Sequence, residues 1–283
     1  MSRVASQAKH RVDRSTLIRP VASPIELAGS SNHCVLMVHG FGDTPQTLHY
    51  LAAKMHAMGY RVSVPLLPGH GTTPEEFFVS TAEEWVFAAR ARLVQLRERS
   101  RSVSLVGLSM GAAIAAILAA EFADIPALVL LSPYLVVPRF LRAIASMHRV
   151  VDPIFGPLNA RHPDSIRDPD ERKKNVGYGV VTAGALRQLC RVVNRATADL
   201  SKVRSPTLLI QSVDDPRIAP DVGVKTLAQL GSVEKQLLGI GGAGHIITVD
   251  YGRDRVISET AAWISDHAGD LPPRESEAAH PIS

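Results

Sequence analysis

The sequence predicts an α/β fold: a mostly parallel sheet with helices on both faces and a helical cap insertion. Three observations predict it. Short apolar runs rich in β-branched residues alternate with segments of helical periodicity, the pattern of a parallel sheet covered by helices. One interval of about 75 residues, between 131 and 207, breaks that alternation and far exceeds what a strand-to-helix connection requires. A length of 283 residues suits one large domain with an insertion better than two enzymatic domains.

The strands are expected at 34–38, 60–65, 103–108, 127–131, 207–211 and 235–239, where Val, Ile and Leu cluster. Helices are expected at 46–58, 81–99, 111–122, 220–230 and 253–267. Thr81 followed by Glu84 is a capping-box start, and Trp85, Ala88, Ala89, Arg92 and Leu96 then recur at helical spacing to form one face. The long interval contains helical stretches at 140–150 and 183–193 around a Pro- and charge-rich middle, 152–174. The domain reading is therefore a loose basic arm over 1–23, a core over 24–132 and 206–269, a helical cap over 133–205 and a loose tail over 270–283.

Composition narrows the partners. The formal charge is +4, but the cap carries 13 Lys/Arg against 6 Asp/Glu, so the basic excess is local. It reads as a solvated surface or as a transient contact with anionic membrane surfaces. With 5% aromatic residues the chain lacks the makings of a base-stacking nucleic-acid surface, so no nucleic acid is expected. Two cysteines, Cys34 and Cys190, offer no disulfide framework and fit a reducing, cytoplasmic compartment. No apolar run has the length of a signal peptide or a membrane span. His49 and His56 lack partners at ligand spacing, so no metal is expected, and the glycines of 240–244 lack the Lys-Ser/Thr of a phosphate loop.

The chemistry gathers around Gly107-Leu108-Ser109-Met110-Gly111. At Gly and Ser frequencies of about 7% each, Gly-x-Ser-x-Gly arises by chance in roughly one chain in ten of this length, so context decides. Here an apolar strand precedes the motif and the Ala-rich helix Gly111-Ala112-Ala113-Ile114 follows it. A sharp strand-to-helix turn lifts the serine hydroxyl above the sheet, which makes Ser109 the expected nucleophile.

A serine hydroxyl needs a histidine to take its proton and an acid to orient that histidine, in the chain order Ser, acid, His on such a fold. His245 stands in a Gly-rich loop after the last expected strand, and two acids, Asp214 and Asp215, follow the strand at 207–211. Negative charge on the former carbonyl oxygen requires two preorganised N–H donors. The backbone N–H of Met110, directly after the serine, is one. The other is assigned to Phe41 in His39-Gly40-Phe41-Gly42, after the first expected strand. His39 lies upstream of the serine, so its expected role is to brace this loop.

These segments resemble the α/β-hydrolases of the bacterial carboxylesterase and monoacylglycerol lipase group. The likeness runs through Leu36-Met37-Val38-His39-Gly40-Phe41, Pro68-Gly69-His70-Gly71-Thr72-Thr73-Pro74-Glu75-Glu76, the Ser109 motif and Gly244-His245-Ile246-Ile247-Thr248, covering about 24–267. The family's acid pattern, Asp-x-x-Ile-x-Pro, is similar to 215–220 and selects Asp215 over Asp214. The resemblance implies cofactor-free hydrolysis of short- to medium-chain carboxylic esters or of monoacylglycerols. Relatives with aspartate at the turn, the haloalkane dehalogenases and epoxide hydrolases, do not fit Ser109, whereas perhydrolase and carbon-carbon hydrolase chemistry shares the triad. A ligand-binding protein on the same scaffold is the rival of another class. Substrate choice rests on the cap, where Tyr134, Leu135, Val136, Val137, Phe140, Leu141 and Phe155 either line an acyl pocket or pack the cap's own core.

Overall fold

Residues 20–268 are described by the computed structural model; the basic arm up to 19 and the tail from 270 lie outside the described residues. The chain enters through β1 (Ile25–Leu27) and β2 (His33–Val38), then α1 (His49–Ala57), β3 (Arg61–Val64), α2 (Pro74–Val79) and α3 (Ala82–Arg97). β4 (Ser102–Leu108), α4 (Met110–Glu121) and β5 (Leu128–Leu131) complete the first half. Between β5 and the next strand of the same sheet lie α5 (Arg139–Ser146), α6 (His148–Phe155), β6 (Leu158–Asn159), α7 (Pro169–Lys174), β7 (Val180–Val181) and α8 (Ala183–Asp199). β8 (Thr207–Ser212), α9 (Val222–Gln229), β9 (Lys235–Ile240) and α10 (Arg253–His267) follow.

The seven strands of the main sheet run in the order β1-β3-β2-β4-β5-β8-β9. All pairs are parallel except β1 with β3. β2 and β4 align Val38 with Gly107, so the chain leaves both strands at the same level. The strand order reverses there: β3 lies to one side of β2 and every later strand to the other. In open α/β sheets such a switch point opens a crevice at the carboxyl ends of the strands, where ligands bind.

Alternation along the strands sends side chains to two cores. Leu36, Val38 and Leu105 pack with Trp85, Leu93, α4 and α8 on one face. Val35, Met37 and Val106 pack with Leu51, Met55, Val256 and Ile264 of α1 and α10 on the other. Ten consecutive residues of α4, Met110 to Ala119, are buried, as expected of a helix apolar all round.

Several expectations are corrected. The capping box of α3 forms, with Thr81 N–H donating to Glu84 Oε2 at 2.9 Å. Its buried face, however, is Ala82, Trp85, Val86, Ala89 and Leu93. Arg92 stays at the rim, donating to Ser63 Oγ at 2.8 Å and pairing with Glu26, because its charge is better solvated there. The single helix expected at 140–150 is two, joined at Met147, and the helix begun at Ala183 runs on to Asp199. β1, three residues paired antiparallel to β3 at the sheet edge, is a seventh strand beyond the six expected.

Candidate active site

Ser109 follows β4 at φ +58° and ψ −115°, a left-handed conformation that a residue with a Cβ adopts only under strain. The turn is held by the Ser109 N–H, which donates to Leu131 O at 2.9 Å. It is possible only between glycines. A Cβ on Gly107 would collide with the Gly111 carbonyl, and one on Gly111 with the carbonyl oxygens of Val38 and His39. The motif thus lets α4 start against the end of β2.

His245 and Asp215 arrive from the ends of β9 and β8. His245 Nε2 is 2.8 Å from Ser109 Oγ and its Nδ1 is 2.8 Å from Asp215 Oδ2. The imidazole is 6% exposed and the carboxylate not at all, so the His245–Asp215 pair is shielded from water, while Ser109 is half-buried. Asp215 Oδ1 accepts the N–H groups of Arg217 at 2.8 Å and Ile218 at 3.1 Å, which orients Oδ2 toward the ring. Asp214 turns away; its Oδ2 accepts the Gly242 N–H at 2.8 Å.

The two expected oxyanion donors come from different elements, one from the start of α4 and one from the loop after β2. Met110 opens α4, where the first N–H groups have no partner within the helix and carry the positive end of its dipole. Phe41 follows β2 beside Gly40, whose added Cβ would stand 3.4 Å from Ser109 Cβ. The Phe41 ring packs edge-on against Phe77 at 4.9 Å and Trp85 at 5.8 Å.

Two buried imidazoles brace this loop. Leu67 N–H donates to His39 Nε2 at 3.1 Å, so the proton sits on Nδ1, which donates to Gly40 O at 3.0 Å. Gly42 N–H donates to His70 Nε2 at 3.1 Å, and His70 Nδ1 donates to Pro68 O at 3.0 Å. Both patterns need the neutral ring. Burial agrees: it lowers His39 to about 4 and holds His70 well below the ordinary histidine value, with the neighbouring His39 adding to the effect. The role of His70 escaped the sequence reading, where it figured only inside a family segment.

This arrangement makes the fold sensitive to acid. His39 and His70, with His33, which burial also lowers to about 4, have folded pKa values below the unfolded value near 6.5. Their contribution to stability is present above that value and lost as pH falls toward 4. Asp43, buried beside the loop and raised to about 7, acts in the opposite sense, favouring the fold as it protonates. Three imidazoles against one carboxyl predict a Tm that drops between pH 6.5 and 4. A His39→Asn, His70→Asn double variant should show a shallower drop over the same window. An equal or steeper drop in the variant contradicts this assignment.

The apolar residues of the inserted segment divide. Leu135 and Val137 are buried in the core around α4, and Leu141 packs against it. Tyr134 is the one whose ring reaches His245, edge-on at 6.4 Å. Val136, Phe140 and Phe155 face outward. Among the described residues no group of His, Cys, Asp and Glu is arranged to hold a metal, and no helix is long and apolar enough to cross a membrane.

Fold and site together define a serine hydrolase on the α/β-hydrolase scaffold. A family profile described as serine aminopeptidase, S33, matches residues 29–251. A thermostable monoacylglycerol lipase of Bacillus sp. (strain H-257) is 28% identical over 238 residues, 83% of this chain and 91% of that protein. A carboxylesterase of Bacillus subtilis (strain 168) is 25% identical over 226 residues, covering 78% and 88%. A structure solved in work on LipS and LipT, two metagenome-derived lipolytic enzymes, superposes with a TM-score of 0.81 at 30% identity, covering 88% of this chain and 100% of that one. The chain belongs to the S33 family and is a serine ester hydrolase of the carboxylesterase and monoacylglycerol lipase group.

Proposed function

We propose that the protein hydrolyses short- to medium-chain carboxylic esters through an acyl-enzyme on Ser109. The observation that carries this reading is the unbroken series of two 2.8 Å hydrogen bonds from Ser109 Oγ through His245 to Asp215. Ser109 Oγ attacks the ester carbonyl while His245 Nε2 takes its proton, and Asp215 keeps the other ring proton on Nδ1. The oxyanion is held by the Phe41 and Met110 N–H groups. His245 then gives the proton to the departing alkoxide, and water, deprotonated by the same ring, cleaves the acyl-enzyme. No cofactor enters any step. The inserted segment acts as a cap over this site, with Tyr134 beside the bound acyl group. Cys34 and Cys190 are free thiols, which supports a cytoplasmic setting.

Monoacylglycerols are the second reading, favoured by one feature of the cap. α5 and α6 expose Phe140, Met147, Val150, Ile154 and Phe155 beside Arg139, Arg142 and Arg149. Apolar side chains interleaved with cations suit transient contact with an anionic lipid surface. Co-sedimentation with anionic vesicles is expected at low salt and is expected to weaken at high salt, whereas no binding at either contradicts the contact.

A chain-length series of p-nitrophenyl esters, run beside monoacylglycerols and an aminoacyl arylamide, tests the substrate class. The expected result is the highest kcat/KM on short to medium esters. Higher values on monoacylglycerols select the second reading. Turnover of the arylamide without ester turnover overturns both.

A further inference from the structure

Behind the His245 loop lies a carboxylate with no part in the proposed triad. Asp250 is completely buried, yet among the described residues no cationic side chain lies within ion-pair distance of it. Its charge is met by four backbone amides. Oδ2 accepts the N–H of Gly244 at 2.6 Å and of Arg167 at 2.8 Å; Oδ1 accepts those of Asp168 and Tyr251, both at 2.8 Å. Gly244 immediately precedes His245, whereas Arg167 and Asp168 belong to the inserted segment. Burying a carboxylate is costly unless such bonds satisfy it, and charge-assisted bonds to amides are roughly twice as strong as neutral ones.

Other contacts close the same seam. Ile246 N–H donates to Ser165 O at 2.9 Å, so residues on both sides of His245 are tied to the inserted segment. A Cβ on Gly244 would collide with the Asp164 carbonyl oxygen, which shows how tightly the two backbones meet. Ser165 also reaches the acid side, where Arg217, two residues past Asp215, donates through Nε to Ser165 Oγ at 2.6 Å and through its terminal nitrogen to Ala160 O at 2.8 Å. Residues 160–168 therefore bridge the loops that carry both partners of Ser109.

We propose that Asp250 is a positioning residue for His245. By joining the Gly244 amide to those of Arg167 and Asp168, it holds the imidazole in line with Ser109 only while the inserted segment is seated on the sheet. Seating of that segment and assembly of the base are thereby one event. The inference rests on the reading of His245 as the base.

Asp250→Asn tests it, because the side chain keeps its shape while one of its two atoms changes from acceptor to donor. Competent sites are counted by the end-point of fluorophosphonate labelling. Per site, kcat on a p-nitrophenyl ester is expected to fall about 10²-fold with KM changed less than about twofold, the signature of a misplaced reacting group. The downfield proton resonance of His245 Nδ1–H is expected to broaden or shift. Gly244→Ala pushes on the seam from the other side and is expected to give the same split between kcat and KM, which covers the case in which Asp250→Asn does not fold. A lowered Tm with unchanged kcat per site means a merely structural carboxylate and overturns the proposal. Wild-type protein that takes no label on Ser109 overturns the triad reading instead.

Discussion

Ser109→Ala is expected to lower kcat on a p-nitrophenyl ester by about 10⁶-fold with little change in Tm, since removing the nucleophile of such a set costs about as much as removing all its members. The comparison isolates the hydroxyl. Alanine carries the same Cβ into the same left-handed conformation, so the strain stored at φ +58° is unaltered. The turn itself survives, because the backbone N–H of residue 109 still donates to Leu131 O and its neighbours Gly107 and Gly111 are untouched. The loss thus reports chemistry alone. Steady-state kinetics with an active-site titration measure it, and a variant with near-wild-type turnover contradicts the acyl-enzyme.

Asp215→Asn is expected to lower kcat by about 10⁴-fold, with the fold intact. The reason is the tautomer. Asp215 Oδ2, 2.8 Å from Nδ1, requires a proton on that nitrogen, which leaves Nε2 free to accept from Ser109 Oγ. An asparagine amide placed there donates to Nδ1, moves the ring proton to Nε2 and leaves the serine without a base. Its carbonyl can still accept the Arg217 and Ile218 amides in place of Oδ1, so the loop is kept. Asp214→Asn is the matched control. Its carboxylate is 43% exposed and serves the Gly242 amide, so kcat is expected to change less than about tenfold. A larger loss at 214 than at 215 reverses the assignment of the acid.

How much of this was legible in the sequence depends on how local each feature is. The Ser109 turn is local: glycines two residues to either side, an apolar run before and an Ala-rich run after, all within twenty positions. Central strands such as β5 (Leu128–Leu131) and the Leu208-Leu209-Ile210 stretch of β8 are continuous apolar runs because both faces are covered, and such runs are read easily. His245 and the pair Asp214 and Asp215 stand out because each follows an expected strand, whereas only the likeness of 215–220 to the family's Asp-x-x-Ile-x-Pro pattern separates Asp215 from Asp214. β1 does not stand out, since three residues at an antiparallel edge, Ile25–Leu27, show no periodicity. α2 was missed for its shortness, although Thr73 caps it by accepting the Glu76 N–H.

The inserted segment was harder to read for a different reason. Its helices α5 and α6 turn apolar residues such as Phe140 and Phe155 outward, so the usual inference from an apolar stripe to a buried face fails. The groups that fasten it to the core are invisible in a linear reading. Asp250 meets Arg167 across 83 positions, and Tyr178, whose hydroxyl donates to Gly69 O at 2.9 Å, does so across 109. No periodicity or spacing announces such partners; only the folded backbone brings them together.

The central claim, that Ser109 is a nucleophile activated by His245 and Asp215, is met most directly by covalent labelling. Full-length protein is treated with a fluorophosphonate, and the adduct is counted by intact mass and located by peptide mapping. One adduct per chain is predicted, on Ser109, forming more slowly in Asp215→Asn and absent from Ser109→Ala. An adduct on another residue, or none on the wild-type protein, would contradict it.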